Sequence, residues 1–219
     1  MSFILSIYKA LSRNLRAIYW KFRMQEFGNH SEILNPLKIN GAKHIKIGSY
    51  VTVQYKTWLA STPLTGQRQS LLVLEDGCTI GHFNHIYATH SIILHKNVLT
   101  ADKVYISDNL HGYEDISIPI KKQAIIQNGT VEIGEGSWLG ENVCVLGAHI
   151  GKHCVIGANS VVTKDIPDYC VAAGAPAKVI KRYDFNEKKW QKVGHIADNQ
   201  SVTNVVFWGG KFCFLLCSA

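Results

Sequence analysis

Between Asp108 and Thr130 the chain gathers side chains able to move protons, in a stretch (DNLHGYEDISIPIKKQAIIQNGT) that shares no register with its surroundings. His111, Gly112 and Tyr113 stand together, with carboxylates close by at Asp108 and Glu114. An imidazole has an ordinary pKa of about 6.5, so it can take up and return a proton at neutral pH. Asp108 or Glu114 could orient that ring, and either could equally be a solvated loop carboxylate. A second group of titratable residues is His82, His85, His90 and His95. The spacing His85-x4-His90 is that of a metal-ligand pair, but a third ligand at a matching separation is missing. The six cysteines (Cys78, Cys144, Cys154, Cys170, Cys213 and Cys217) form no C-x-x-C pair, so no metal ligand is assigned.

The residues that must hold these groups repeat every six positions. Leu74, Ile80, Ile86 and Ile92 form one run, and Leu94, Thr100 and Ile106 a second. Ile133, Leu139 and Val145 form a third, and Ile150, Ile156 and Val162 a fourth. Four places after the aliphatic residue sits a small, β-branched or polar one: Cys78, Asn84, Val98, Val104, Ser137, Val143, Cys154 or Ser160. Neither a helix nor an alternating strand has this period. It fits an all-β solenoid, a parallel β-helix with three short faces per coil, each face giving one side chain to a narrow core. Such a rod has little room for a pocket. Its chemistry has to come from loops that leave it and from surfaces where rods meet. The two-residue slip from Ile92 to Leu94 predicts a local bulge. The short step from Val145 to Ile150 predicts a tighter corner. The excursion 108–130 is the one expected to be functional.

Around the solenoid the sequence predicts an N-terminal helix over 2–27. Ile4, Tyr8, Leu11, Leu15, Ile18 and Phe22 form an apolar stripe flanked by Lys9, Arg13, Arg16 and Arg23, with Trp20 among them. Gly28-Asn29 stops it. Three segments follow: a helix in 1–28, a β-helix domain in 29–183 with its loop at 108–130, and an extension in 184–219. Residues 61–70 read as a polar loop. Residues 204–216, around Gly209-Gly210, read as a hairpin in a loosely packed tail. The net charge of +7 suits phosphorylated ligands, acidic glycans or an anionic membrane face. No Lys/Arg block of the nucleic-acid type is present. Reduced thiols and the lack of a secretory signal point to the cytoplasm, and no stretch is long and apolar enough to span a bilayer.

With the hexads, the His-bearing loop and the stretch IGEGSWLGENVCVLGAHIGKHCVIGANSVVTKDIPDYCVAAGAPAKVIKR (133–182), the chain resembles the hexapeptide-repeat acyltransferases with a left-handed β-helix. Within them it resembles the sugar O-acetyltransferases, over residues 39–183. That resemblance implies acetyl transfer from acetyl-CoA, with no metal, to a hydroxyl of a sugar or oligosaccharide in surface polysaccharide synthesis. It also implies a homotrimer with active sites between subunits. His111 matches the family's catalytic base. Gly140 or Glu141, just after Trp138, matches the backbone donor to the oxyanion, although the family often has Ser where Glu141 stands. Asn84 matches a position that holds the acceptor, and also fills a small-residue slot of a hexad. Trp138, Ala158, Thr163, Lys164, Lys178 and Lys181 match the acetyl-CoA contacts, the last two at positions that are often Arg. The alternatives are N-acetylation of an amino sugar, and a γ-type carbonic anhydrase built on the same solenoid. The basic N-terminal helix adds an expected peripheral contact with an anionic membrane at the inner face.

Overall fold

The computed structural model describes residues 15–193. Its strands form an all-β solenoid of three sheets visited in turn. The first sheet stacks Glu26–Phe27, Ile45–Ile47, Leu71–Leu74, Ser91–Leu94 and Val131–Ile133. The second stacks Glu32–Ile33, Thr52–Val53, Thr79–Ile80, Leu99–Thr100, Trp138–Leu139, Val155–Ile156 and Cys170–Ala173. The third stacks Lys38–Asn40, Trp58–Ser61, His85–Ala88, Tyr105–Ser107, Cys144–Leu146 and Val161–Val162. Pairing along each stack is parallel, as in Leu59 against Ile86 and Ile106 against Val145.

The hexad residues point inward. Leu74, Ile80, Ile86, Leu94, Ile106, Ile133, Leu139 and Val145 are all fully buried. Each such side chain contributes about 1.5–3 kcal/mol of transfer free energy. The small slot faces the corners, where a larger group would not fit and where backbone polar groups need partners. Ser137 shows both: its hydroxyl donates to Gly151 O at 2.8 Å and accepts from Cys154 N–H at 2.9 Å. Cys78 and Cys154 occupy the same slot, and burial pushes both thiols up to about 11.

The step from Ile92 to Leu94 is not a local bulge. Every first-sheet strand from Ile45 to Ile133 turns two residues inward: Ile45 and Ile47, Leu72 and Leu74, Ile92 and Leu94, Val131 and Ile133. That face is simply longer than the other two. It then shrinks to single bridges, Ile133 to Ile150 and Ile150 to Ile166. The shortening falls at the Val145–Ile150 step, as expected of a tighter corner. Gly147 turns that corner at φ 61°, and a Cβ there would run into the Asn128 carbonyl.

The ends differ from expectation. The described helix covers 15–23, and Glu26–Phe27 already pairs with Lys46–Ile47, so the solenoid begins ahead of Gly28. Ala17, Trp20 and Met24 pack against the core, while Leu15, Ile18 and Phe22 of the stripe face outward. At the other end, Lys178–Asp184 folds back antiparallel on Cys170–Ala173 and pairs with Lys189–Lys192, crossing the expected boundary at 183/184. The hairpin expected at 204–216 lies outside the described residues.

Candidate active site

The residues singled out by sequence fall on two different corners of the solenoid. One is the corner between the third and first sheets, where the excursion leaves after Ser107 and returns at Val131. The excursion is an arm. Asn109–His111 runs antiparallel to Ile125–Gln127, with Asn109 opposite Gln127 and His111 opposite Ile125. His111 is exposed on it. Tyr113, Ile116, Ile118 and Ile120 beyond are exposed as well, Ile116 almost wholly at 99%.

Asp108 does not orient His111. It is fully buried and anchors the root of the arm to the preceding turn. Its Oδ1 accepts from Thr89 N–H at 2.8 Å, Thr89 Oγ at 2.9 Å and Asn109 Nδ2 at 3.0 Å. Its Oδ2 accepts from the N–H groups of His90 and Ser91 at 2.7 and 2.9 Å. Gln127 completes the root, donating to Asp108 O at 2.7 Å and accepting from Thr65 Oγ1 at 2.5 Å. Thr65 belongs to the polar loop 61–70, so the two excursions brace each other. Sequence reading missed Thr89 and Gln127, whose roles depend on partners 19 residues away from each.

The other corner lies between the second and third sheets. Gly140 and Glu141 turn it directly after Trp138–Leu139, and Ala158 turns it one coil later. The coils are pressed together here: a Cβ on Gly140 would meet Ala158 N at 2.7 Å. Gly140 N–H donates to Ile156 O at 2.9 Å, within the ladder. The Glu141 carboxylate pairs with Lys103 on the coil before, at 2.8 Å, and this bond raises the Lys103 pKa. Beside Ala158, Gly157 stacks on Ala173 of the next coil, whose partner in the returning strand is Lys178. Lys181, opposite Val171, lies on the same strand. Thr163 and Lys164, by contrast, follow the third-sheet strand Val161–Val162 and sit on the corner that carries the arm.

Asn84 is a structural residue of the corner. It is 1% exposed, and its amide donates to Thr100 Oγ1 at 3.1 Å and Ala101 O at 3.0 Å. Its carbonyl accepts from Val104 N–H at 2.6 Å. With these bonds made inside the rod, it has no reach to an acceptor. The four clustered histidines scatter. His82 pairs with Asp102 at 3.0 Å, His95 lies between Glu75 and Glu132 at 3.2 and 3.4 Å, and His90 sits at the root of the arm. His85 lies on the third sheet, stacked on Trp58 with centroids 4.1 Å apart and next to Tyr105. The pair His85-x4-His90 therefore spans a strand and a corner, which is not a shared centre.

Comparison with known proteins agrees with this architecture. Residues 130–164 match the family described as the hexapeptide repeat of succinyl-transferase. WbbJ of Escherichia coli (strain K12), whose name proposes a lipopolysaccharide biosynthesis O-acetyl transferase, is 38% identical over 131 residues, 57% of this chain and 67% of that protein. The galactoside O-acetyltransferase of the same strain is 34% identical over 102 residues, 46% of this chain and 49% of that one. Among solved structures, AntD, an N-acyltransferase from Bacillus cereus in complex with dTDP and coenzyme A, superposes with a TM-score of 0.60. It is 16% identical, over 76% of this chain and 88% of that one, a likeness of fold. The chain belongs to the hexapeptide-repeat acyltransferase family. It is an acyltransferase on a left-handed parallel β-helix.

Proposed function

We propose that this chain transfers the acetyl group of acetyl-CoA to a sugar hydroxyl in bacterial surface polysaccharide (O-antigen, capsule or exopolysaccharide), and that it does so as a homotrimer. The relatives above support the substrate class. The observation that carries the assembly is the division of the site between two corners. Third-sheet strand and turns separate Glu141 from the root of the arm, a span of roughly 15–20 Å at the usual rise per residue. A thioester carbonyl in contact with Glu141 is out of reach of a base anchored at Asp108 of the same rod. A second copy, packed with its arm corner against this corner, closes that gap, and threefold symmetry closes the set.

In that arrangement the roles follow from the chemistry. The His111 imidazole takes the proton of the acceptor hydroxyl as its oxygen attacks the thioester carbon. Gly140 N–H is engaged in the ladder, so the oxyanion donor is the N–H of Glu141, a contribution of about 3–4 kcal/mol to the transition state. When the C–S bond breaks, imidazolium returns its proton to the CoA thiolate. Trp138 and Ala158 of one copy, with Thr163 and Lys164 of the copy bringing the arm, line the pantetheine path. Lys178 and Lys181 meet the phosphates. Attack is direct, so no enzyme nucleophile is required.

A cytoplasmic setting at the inner membrane face supplies both acetyl-CoA and a lipid-linked acceptor. The deciding experiment follows thiol release from acetyl-CoA against monosaccharides, nucleotide sugars and lipid-linked oligosaccharides, with the product's linkage identified by mass spectrometry and alkaline lability. An alkali-labile ester on a sugar is the expected product. An amide would replace the hydroxyl acceptor with an amino sugar, and no turnover with any acceptor would remove the reading.

A further inference from the structure

The helix 15–23 presents the wrong face to the solenoid for a helix that merely packs. Its side toward the first coil is Ala17, Trp20 and Met24, at i, i+3 and i+7, with Met24 only 6% exposed. The joint is fixed further by Gln25 N–H, directed to Ala42 O at 3.2 Å and Ile45 O at 3.1 Å, and by Lys21 Nζ on Asn29 at 3.1 Å. The opposite side carries the larger apolar load and leaves it uncovered. Leu15, Ile18, Tyr19 and Phe22 are 59, 51, 50 and 86% exposed. In sequence the same spacing continues upstream through Ile4, Tyr8 and Leu11.

This stripe is bordered by cations. Arg16 and Arg23 are exposed on the described turns, with Lys9 and Arg13 upstream in sequence, and there is no carboxylate between Met1 and Met24. A second copy meeting this stripe with its own would set Arg16 and Arg23 against their counterparts. A bilayer with anionic headgroups takes apolar side chains at the acyl boundary and cations at the phosphates on one surface. An apolar stripe bordered by cations on one helix is the pattern of a helix that lies on a membrane surface.

We propose that the outward face Leu15–Ile18–Tyr19–Phe22, with Arg16 and Arg23 beside it, docks the protein on an anionic lipid bilayer. Trp20 is excluded from the contact because it belongs to the joint with the solenoid. Since that joint holds the helix on the first coil, docking presents the N-terminal end of the rod to the bilayer. This inference stands on the helix and not on the acyl-transfer reading.

The test is flotation of the full chain with vesicles of phosphatidylcholine and phosphatidylglycerol, with pure phosphatidylcholine as the comparison, at low salt and at about 0.5 M salt, where surface charges are screened. The expected result is flotation with the anionic vesicles at low salt, loss of most of it at high salt, and little with the neutral ones. Ile18→Ser with Phe22→Ser should lower the floated fraction at least about fivefold, as loss of inserted apolar area requires. Arg16→Gln with Arg23→Gln should do the same at low salt. These residues are exposed, so the variants should melt with the wild-type protein, and the neutralising pair serves as the second readout. A wild-type chain that stays at the bottom with anionic vesicles overturns the proposal. So does a Ser variant that floats like wild type, or one whose loss of flotation accompanies a smaller particle by light scattering, which would assign the stripe to a neighbouring copy.

Discussion

In the proposed reaction His111 carries the proton transfer, and the contact described for it is its backbone pairing with Ile125, in an arm whose anchor is elsewhere. Replacing it by Ala should therefore remove the base without disturbing the fold: kcat should fall by about 100-fold or more while acetyl-CoA binding by calorimetry stays as it was. A folded variant with near-normal kcat would transfer the role to another group. Asp108 behaves in the opposite way. Ala at this position leaves the N–H groups of Thr89, His90 and Ser91 without their acceptor, at a cost of about 3 kcal/mol or more. Asp108→Ala should lower the melting temperature as well as activity, and unchanged melting would show the anchor to be dispensable. His85 offers a test of the stack on the third sheet. Burial lowers its pKa below the ordinary value. The unfolded chain then takes up a proton as pH falls through about 6.5, before the folded chain does, so stability is full above that pH and declines below it until the folded pKa is passed. Between about pH 7.5 and pH 5, His85→Phe should lose less melting temperature than the wild-type protein. Equal slopes would mean that the ring titrates as if exposed.

The arm and the corners owe their shape to close backbone approach. An arm of this length adds a loop-closure cost that grows only slowly with length, so its position depends on its root. Two features hold that root: the Asp108–Gln127 bonds and the Gly147 turn packed on Asn128. Gly147→Ala puts a Cβ where the Asn128 carbonyl lies and strains a residue at φ 61°. The expected outcome is a loss of kcat that exceeds the loss of stability, because the return strand of the arm must move. A variant with full kcat and a lowered melting temperature would separate this corner from the site. In the proposed trimer the exposed Ile116, Ile118 and Ile120 near the arm's tip would be covered by a neighbouring rod.

For the whole molecule the proposed reaction predicts a site that one chain cannot complete. Light scattering should give a homotrimer. A sharper measurement mixes two inactive variants: His111→Ala, which lacks the base, and Glu141→Pro, which lacks the oxyanion N–H. If each site draws its arm from one copy and its corner from the next, co-refolded mixtures should recover up to about a quarter of wild-type activity, the share of interfaces that combine an intact arm with an intact corner under cyclic symmetry. Mixtures as inactive as either parent would place both groups in one chain. At the far end of the rod, Lys178→Ala with Lys181→Ala should raise the KM for acetyl-CoA and flatten its dependence on salt, since phosphate contacts are screened charge interactions. A KM that is unchanged for both CoA and dephospho-CoA would move the phosphates elsewhere.

The solenoid was legible because a coil of three short faces repeats a local requirement. An aliphatic residue every sixth position and a small one four places later are needed whatever else the chain does, so Leu74–Ile80–Ile86 and Ile133–Leu139–Val145 announce it in one dimension. The excursion at 108–130 was legible as a break in that rhythm, and His111 through the motif around it. The rest depended on distances that the chain order does not contain. Asn84 and Asp108 have residue types suited to catalysis, yet both are consumed by backbone N–H groups and carbonyls on adjacent coils, roughly 20 residues off in sequence and about 5 Å off in space. The apolar stripe of the N-terminal helix was visible, but not which face would meet the rod. Packing there is a contest between side chains, and the smaller Ala17 lets Trp20 and Met24 close on the first coil while Phe22 is left outside. Hexad order states which corner a residue turns. Only the stacked coils show that His111 and Glu141 stand on different corners, because the separation between them is the width of a sheet and not a number of residues.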